Sequence, residues 1–220
     1  MVDFNNLIDN YLEREYKAKS VGRYYPSEVG GCLRKTWFSY KQPKETDVAL
    51  MRIFEAGNML HEFVTDVIRS EKNPEVELLE AEMPIKIEKK DFIISGRIDN
   101  LMLLRVKKEK LLVEVKSTKY LPKEARKEHE MQLQLYMHAI NVHNGIVLYI
   151  QKDNLQTKWF DVKYSKEEVE MIIERFGKLH LALTKNKIPE AEAKLDEEKN
   201  WMCDYCAWKS ECDREKATGF

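Results

Sequence analysis

Apolar positions along this chain follow first a helical period and then a period of two, and the changes between them predict its elements. Residues 3 to 17 carry Phe4, Leu7, Ile8, Tyr11 and Leu12 at helical spacing behind Asp3, which can cap the first turn. After Pro26, Ser27 is a second cap, for a helix over 27 to 40 that Gly30 and Gly31 interrupt or delay. A longer helix is expected from Val48 to Lys72, closed by Asn73 and Pro74. Its stripe includes Phe54, Gly57, Leu60, Val64 and Ile68, with His61 on or beside it and Gly57 allowing a close approach. The period then drops to two over 76 to 88, 92 to 104 and 110 to 117, three strands of an antiparallel meander. A helix over 123 to 142 follows, then strands at 146 to 151 and 157 to 162, the first apolar enough to be central. A last amphipathic helix, Ser165 to Lys185, covers the sheet, and the acidic stretch 190 to 199 is expected to be solvated. No repeat or low-complexity linker divides the chain. The pattern predicts an α/β (α+β) fold, residues 48–188 forming the core and residues 1–47 and 189–220 a lobe built from both ends.

Composition narrows this picture. With 220 residues, 43% of them hydrophobic, the chain can bury a core of ordinary size. Its 37 basic and 38 acidic residues cancel to a net charge of -1, so any nucleic-acid binding must come from a local patch. No apolar run approaches the roughly 20 residues of a membrane span, and MVDFNNLIDNYLERE lacks the basic head and apolar core of a signal peptide. A soluble, cytoplasmic protein is expected.

The chemistry concentrates between Ser95 and Ser117. Asp99 ends one strand of a hairpin, and Glu114 and Lys116 share one face of the next, while Val113 and Val115 point the other way. Two carboxylates and an ammonium at one end of a hairpin suit a divalent cation. His61, Asp99, Glu114 and the main-chain carbonyl of Val115 are the expected ligands of Mg2+ or Mn2+, with Lys116 positioning water or neutralising charge on a phosphorane. Gln132 and Tyr136, one turn apart, complete the order Asp, Glu-x-Lys, Gln-x3-Tyr. Metal-dependent hydrolysis of a phosphodiester is the expected reaction.

Two further groups bear on it. Cys203-x2-Cys206-x5-Cys212 can supply three ligands from one loop, and Cys32 is the remaining cysteine; four thiolates suit an iron-sulfur cluster or structural zinc. Between Lys17 and Lys44, seven basic residues face one acid, Glu28, and alternate with aromatics. Tyr24, Arg34, Lys35 and Trp37 are therefore the expected nucleic-acid contacts.

GRID, then EVKS, then Gln-x3-Tyr resembles the RecB-type branch of the PD-(D/E)xK nucleases, and the distal cysteine with C-x2-C-x5-C resembles its iron-sulfur members. With YYPSEVGGCLRK near the start and GNMLHE before the sheet, the chain is most similar to the CRISPR-associated Cas-four exonucleases from about Pro26 to Cys212. The resemblance implies a restriction-endonuclease-like core and a 4Fe-4S cluster on Cys32, Cys203, Cys206 and Cys212. It implies a divalent metal at His61, Asp99 and Glu114, with Lys116 catalytic and Gln132 and Tyr136 supporting the site and contacting DNA. It further implies an exonuclease on single-stranded DNA, often 5′ to 3′, that prepares spacers for a CRISPR integrase. A repair, recombination or mobile-element nuclease and a DNA-end adaptor for an integrase are the competing roles.

Overall fold

The structure is a computed structural model and describes residues 2 to 13, 18 to 215 and 218. Asp3 caps α1 (Phe4–Leu12) by accepting the Asn5 and Asn6 amides. The helix ends at Glu13, and positions 14 to 17 of the expected helix lie outside the described residues. A two-residue strand that the apolar pattern does not announce, β1 (Arg23–Tyr24), comes next. The glycine pair delays the second helix: a 3-10 turn, Pro26–Glu28, precedes it, and α2 (Leu33–Lys41) starts only after Cys32. Asp47 caps α3 (Val48–Arg69) through the Ala49 amide.

The period-two region forms β2 (Val76–Glu88), β3 (Ile93–Leu104) and β4 (Glu109–Thr118), paired antiparallel in sequence order. Helix α4 (Lys127–Ile140) then crosses over to β5 (Asn144–Gln151), which runs parallel to β4, and β6 (Thr157–Lys163) returns antiparallel. The result is a mixed sheet in the order β1-β3-β4-β5-β6 with β2 on β3. Helix α5 (Lys166–Thr184) is capped by Ser165. The acidic tail is more structured than its composition suggests: it forms α6 (Glu192–Leu195), a 3-10 turn over Asn200–Cys203 and α7 (Lys209–Arg214), and it buries Ala193.

Helices cover both faces of the sheet. Val64 and Ile68 of α3 pack on Met102, Val113, Val115 and Ile150. On the other face Leu133, Tyr136 and Met137 of α4 pack on Leu112, Val147 and Tyr149, and α5 and α2 close a second layer through Phe38, Ile172 and Phe176. Each such fully buried side chain stabilises the fold by about 1.5 to 3 kcal/mol.

One detail of the sheet creates the site. β2 pairs with β3 along nearly its whole length, so β1 and β4 must share the opposite edge of β3. β4 holds that edge from Asn100 to Leu104 and β1 holds it at Ile93 and Ile94. Between them the edge opens, and Asp99 stands where the two strands part.

Candidate active site

In the opening, the Asp99 carboxylate replaces the missing strand: its Oδ2 accepts the Val115 amide at 2.7 Å. A residue in an extended strand presents its N–H and C=O on the same side, so the Val115 carbonyl faces this gap as well. Glu114, 1% exposed, holds Lys116 Nζ at 2.6 Å through Oε1, whereas its Oε2 is buried without a hydrogen-bond partner. From the other face of the gap, α3 brings His61 Nδ1 to 3.4 Å from Asp99 Oδ1. Gly57, one turn earlier, permits this docking, because a Cβ there would stand 3.3 Å from Ser117 Oγ. Thr65 Oγ1, bonded to the His61 carbonyl and to the Asn100 side chain, fixes that turn of α3 against β3.

Helix α4 supplies the remaining wall. Lys116 Nζ donates to Gln132 Oε1 at 3.1 Å, and Gln132 Nε2 donates to the Tyr136 hydroxyl at 3.0 Å. The structure therefore gathers His61, Asp99, Glu114, Val115, Lys116, Gln132 and Tyr136 around one opening. Two residues outside the sequence motifs help to hold it. Tyr149 is in register with Lys116 on the neighbouring strand, and its hydroxyl accepts the Arg126 amide and pairs with His129 Nδ1 at 2.8 Å. That bond anchors the first turn of α4 beside Lys116. Only the pairing of β4 with β5 reveals it, which is why no local motif announces it.

Burial, followed by the nearby Asp99 charge, raises the Glu114 carboxyl to about 7, against the opposing pull of Lys116. Burial alone would lower Lys116, but Glu114 outweighs it and keeps the ammonium charged. For His61 burial is likewise outweighed, here by Asp99 and Glu114, so the imidazole is more basic than usual. His129 lies on the opposite side of this balance: burial, then Lys116 and Arg126, lowers it to about 3 and keeps it neutral.

Among the described residues, no group of three or more His, Cys, Asp and Glu side chains is gathered as a metal-ion cage. Lys116 holds one Glu114 oxygen and His61 stands 3.4 Å from one Asp99 oxygen, which leaves the second Glu114 oxygen open. The donor types themselves fit a hard divalent cation: two carboxylates, an imidazole, a strand carbonyl, and a buried Glu114 oxygen that lacks any other partner.

The cysteines behave similarly. Cys32, Cys203, Cys206 and Cys212 line one small cavity, and none forms a disulfide. Burial and then its three fellow thiols raise Cys203, and four thiols lining one cavity are donors that suit a soft metal. The N-terminal segment and the tail are tied together by hydrogen bonds and an ion pair. Arg175 of α5 donates to the Val29 and Gly31 carbonyls and pairs with Glu192, which in turn accepts the Leu33 amide. Lys44 donates to the Ala207 carbonyl and Trp208 Nε1 to that of Gln42.

The expected nucleic-acid contacts require correction. Tyr24 is 0% exposed, with its hydroxyl on His180 Nδ1, and buried Trp37 donates Nε1 to the Ala182 carbonyl. Arg34, 5% exposed, donates to the carbonyls of Pro189 at 2.6 Å and Glu215 at 3.1 Å and approaches Cys212. These aromatics belong to the core shared by α2 and α5, and composition cannot distinguish such a cluster from a stacking surface. Lys35 alone of the four is exposed, beside the cysteine cavity. Arg34→Met should lower unfolding stability by about 2 to 3 kcal/mol in urea titrations, because charge-assisted bonds to two carbonyls are lost. The salt dependence of DNA binding should stay as it was; a flattened salt slope would return Arg34 to the DNA path.

A sequence profile for the "PD-(D/E)XK nuclease superfamily" matches residues 6–213. No curated protein matches the sequence. The crystal structure of SSO0001 shares the fold, with a TM-score of 0.68 and 19% identity over 96% of either chain. An alkaline exonuclease from Laribacter hongkongensis (LHK-Exo) aligns over 84% of this chain and 95% of its own, at 14% identity and a TM-score of 0.47. A phage-related exonuclease from Haemophilus somnus 129PT aligns over 70% and 81% respectively, at 14% identity and a TM-score of 0.46.

Proposed function

The chain belongs to the PD-(D/E)XK nuclease superfamily, and on that premise we propose that it is a metal-dependent exonuclease acting on single-stranded DNA. The observation that carries this reading is Glu114, a buried carboxylate with one oxygen on Lys116 and the other without a partner, beside the Asp99 carboxylate at the strand opening. A structural ion pair has no need of the second oxygen, and leaving it buried and unpaired is costly. His61, Asp99, Glu114 and the Val115 carbonyl would hold a Mg2+ or Mn2+ ion, which when bound would supply an acidified water and polarise the phosphate. The ammonium of Lys116, fixed by Glu114 and Gln132, is placed to hold the attacking water or offset charge on the phosphoryl oxygens. Gln132 is itself oriented by Tyr136, so the amine has one position.

Cys32, Cys203, Cys206 and Cys212 are the proposed ligands of a 4Fe-4S cluster; their common cavity supports a shared metal, and the resemblance to iron-sulfur nucleases favours the cluster over zinc. Preparation of spacers alongside a CRISPR integrase is the biological setting that the sequence motifs favour. No helix is long and apolar enough to cross a membrane among the described residues.

The test uses single-stranded DNA labelled at either end, with and without Mn2+. The unmodified protein should release short labelled products from one end only, and Asp99→Ala should slow release at least about 100-fold. Equal cleavage by the variant would remove Asp99 from the chemistry, and internal cuts on closed circular single strands would make the enzyme an endonuclease.

A further inference from the structure

With Tyr24, Trp37 and Arg34 committed to the interior, the stacking surface must lie elsewhere. We infer that the loop leaving the catalytic strand, residues 119 to 126, with the edge of β6 and Trp201 of the tail, is a single-stranded nucleic-acid track in which bases stack on Tyr120 and Trp201. The inference rests on the nuclease reading and locates the substrate path for that same site.

The loop begins two residues after Ser117 and ends at the first turn of α4, which also carries Gln132. Three aromatic–cation pairs surround it. Tyr120, 71% exposed, has Lys119 Nζ 5.2 Å from its ring centre. Phe160 on β6 has Lys158 at 5.1 Å, and Trp201, 46% exposed, has Arg126 at 5.6 Å. An exposed ring beside a cation offers a base a face to stack on and its phosphate a counter-charge. Sheet geometry ties this surface to the reaction. Lys116, Tyr149 and Lys158 are successive register partners across β4, β5 and β6, so their side chains leave the same face of the sheet. At about 4.8 Å per strand, Lys158 is then about 10 Å from Lys116 along the sheet.

The charges are not uniform, and their pairing shows which are available. Lys119, Lys123 and Lys158 form no ion pair among the described residues; Lys158 Nζ is bonded only to the Lys123 carbonyl. The acids Glu128 and Glu130 at the start of α4 are engaged by Arg126 and Lys127. Glu124, Asp161 and Glu198 line the groove between this loop and Trp201, together with Lys123, Arg126 and Lys199.

Binding is read in the Asp99→Ala protein, which should hold DNA without cutting it. Anisotropy of a labelled oligo-dT should show about 10-fold weaker binding for Tyr120→Ala and for Trp201→Ala, whereas Tyr120→Phe and Trp201→Phe bind like their parent. Oligo-dT should also quench intrinsic tryptophan fluorescence, and Trp201→Phe should reduce the quench, which a purely structural role for Trp201 would leave in place. Unchanged affinity in both alanine variants, or equal losses in alanine and phenylalanine variants, overturns the track. If the unmodified protein cleaves and the Asp99→Ala parent and its alanine variants bind alike, only the track fails. If neither binding nor cleavage of DNA occurs at all, the nuclease reading fails and the track with it.

Discussion

Replacing Glu114 with glutamine will reduce Mn2+-dependent cleavage about 1,000-fold or more, the largest activity loss expected of any conservative change in this protein. The amide keeps the shape of the side chain and can still accept from Lys116, so the variant removes charge and little else. The same substitution has a signature in stability. Glu114 binds its proton more tightly in the folded chain, at about 7, than its ordinary value of 4.5. Its stabilising contribution is therefore complete below about pH 4.5 and is lost as pH rises through about 7. Metal-free protein should lose melting temperature over that interval, and Glu114→Gln should flatten the decline. Added Mn2+ should act in the opposite sense, raising the melting temperature more at pH 8 than at pH 5, because an ion competes with the proton for the carboxylate. Melts that fall equally in parent and variant would show that Glu114 is not the titrating group.

Gly30→Ala is expected to have the largest effect on the fold. A Cβ at residue 30 would occupy the space of the Glu128 Cα and Cβ, so backbone must move, not a flexible side chain. Overpacking against backbone should cost about 3 kcal/mol or more. Because Gly30 precedes Cys32 by two residues and Glu128 precedes Gln132 by four, the strain reaches the cysteine cavity and Lys116, the partner of Gln132, together. Urea titration should show the stability loss, and cleavage by the folded fraction should fall as well. A variant of parental stability would mean that the loop at Gly30 and α4 separate freely.

How much of this could be read from residues alone depended on the range of the interaction. Strand and helix positions follow local periodicity, so β2, the 48-to-69 helix and β5 emerge close to expectation. The Glu-x-Lys pair is legible for the same reason, since a strand sends alternate side chains to one face. The cysteines attract notice through spacing. What periodicity could not convey is pairing between distant strands. The opening of β3 at Asp99 exists because β1, only two residues long, takes the edge that β4 leaves. Tyr149 becomes a support for the site only through its register with Lys116. The basic and aromatic stretch misled for a related reason: Tyr24, Arg34 and Trp37 find their partners at His180, Pro189 and Ala182, more than 140 positions away. Their composition is that of a binding surface, and their contacts are those of an interior.

Those long-range partners also set an order of events on the ribosome. Every side chain of the candidate site, from His61 to Tyr136, is synthesised before any acceptor of the Arg34 guanidinium at Pro189 and Glu215. A nascent chain can therefore pair β2 through β5 and assemble its carboxylates while Cys32 has no companions and Arg34 has no carbonyls to meet. Until the tail arrives, burying the Arg34 guanidinium of α2 is costly, because the carbonyls of Pro189 and Glu215 that it bonds are absent. Completion of the fold is in this way deferred until the segment from Pro189 to Glu215 has been translated.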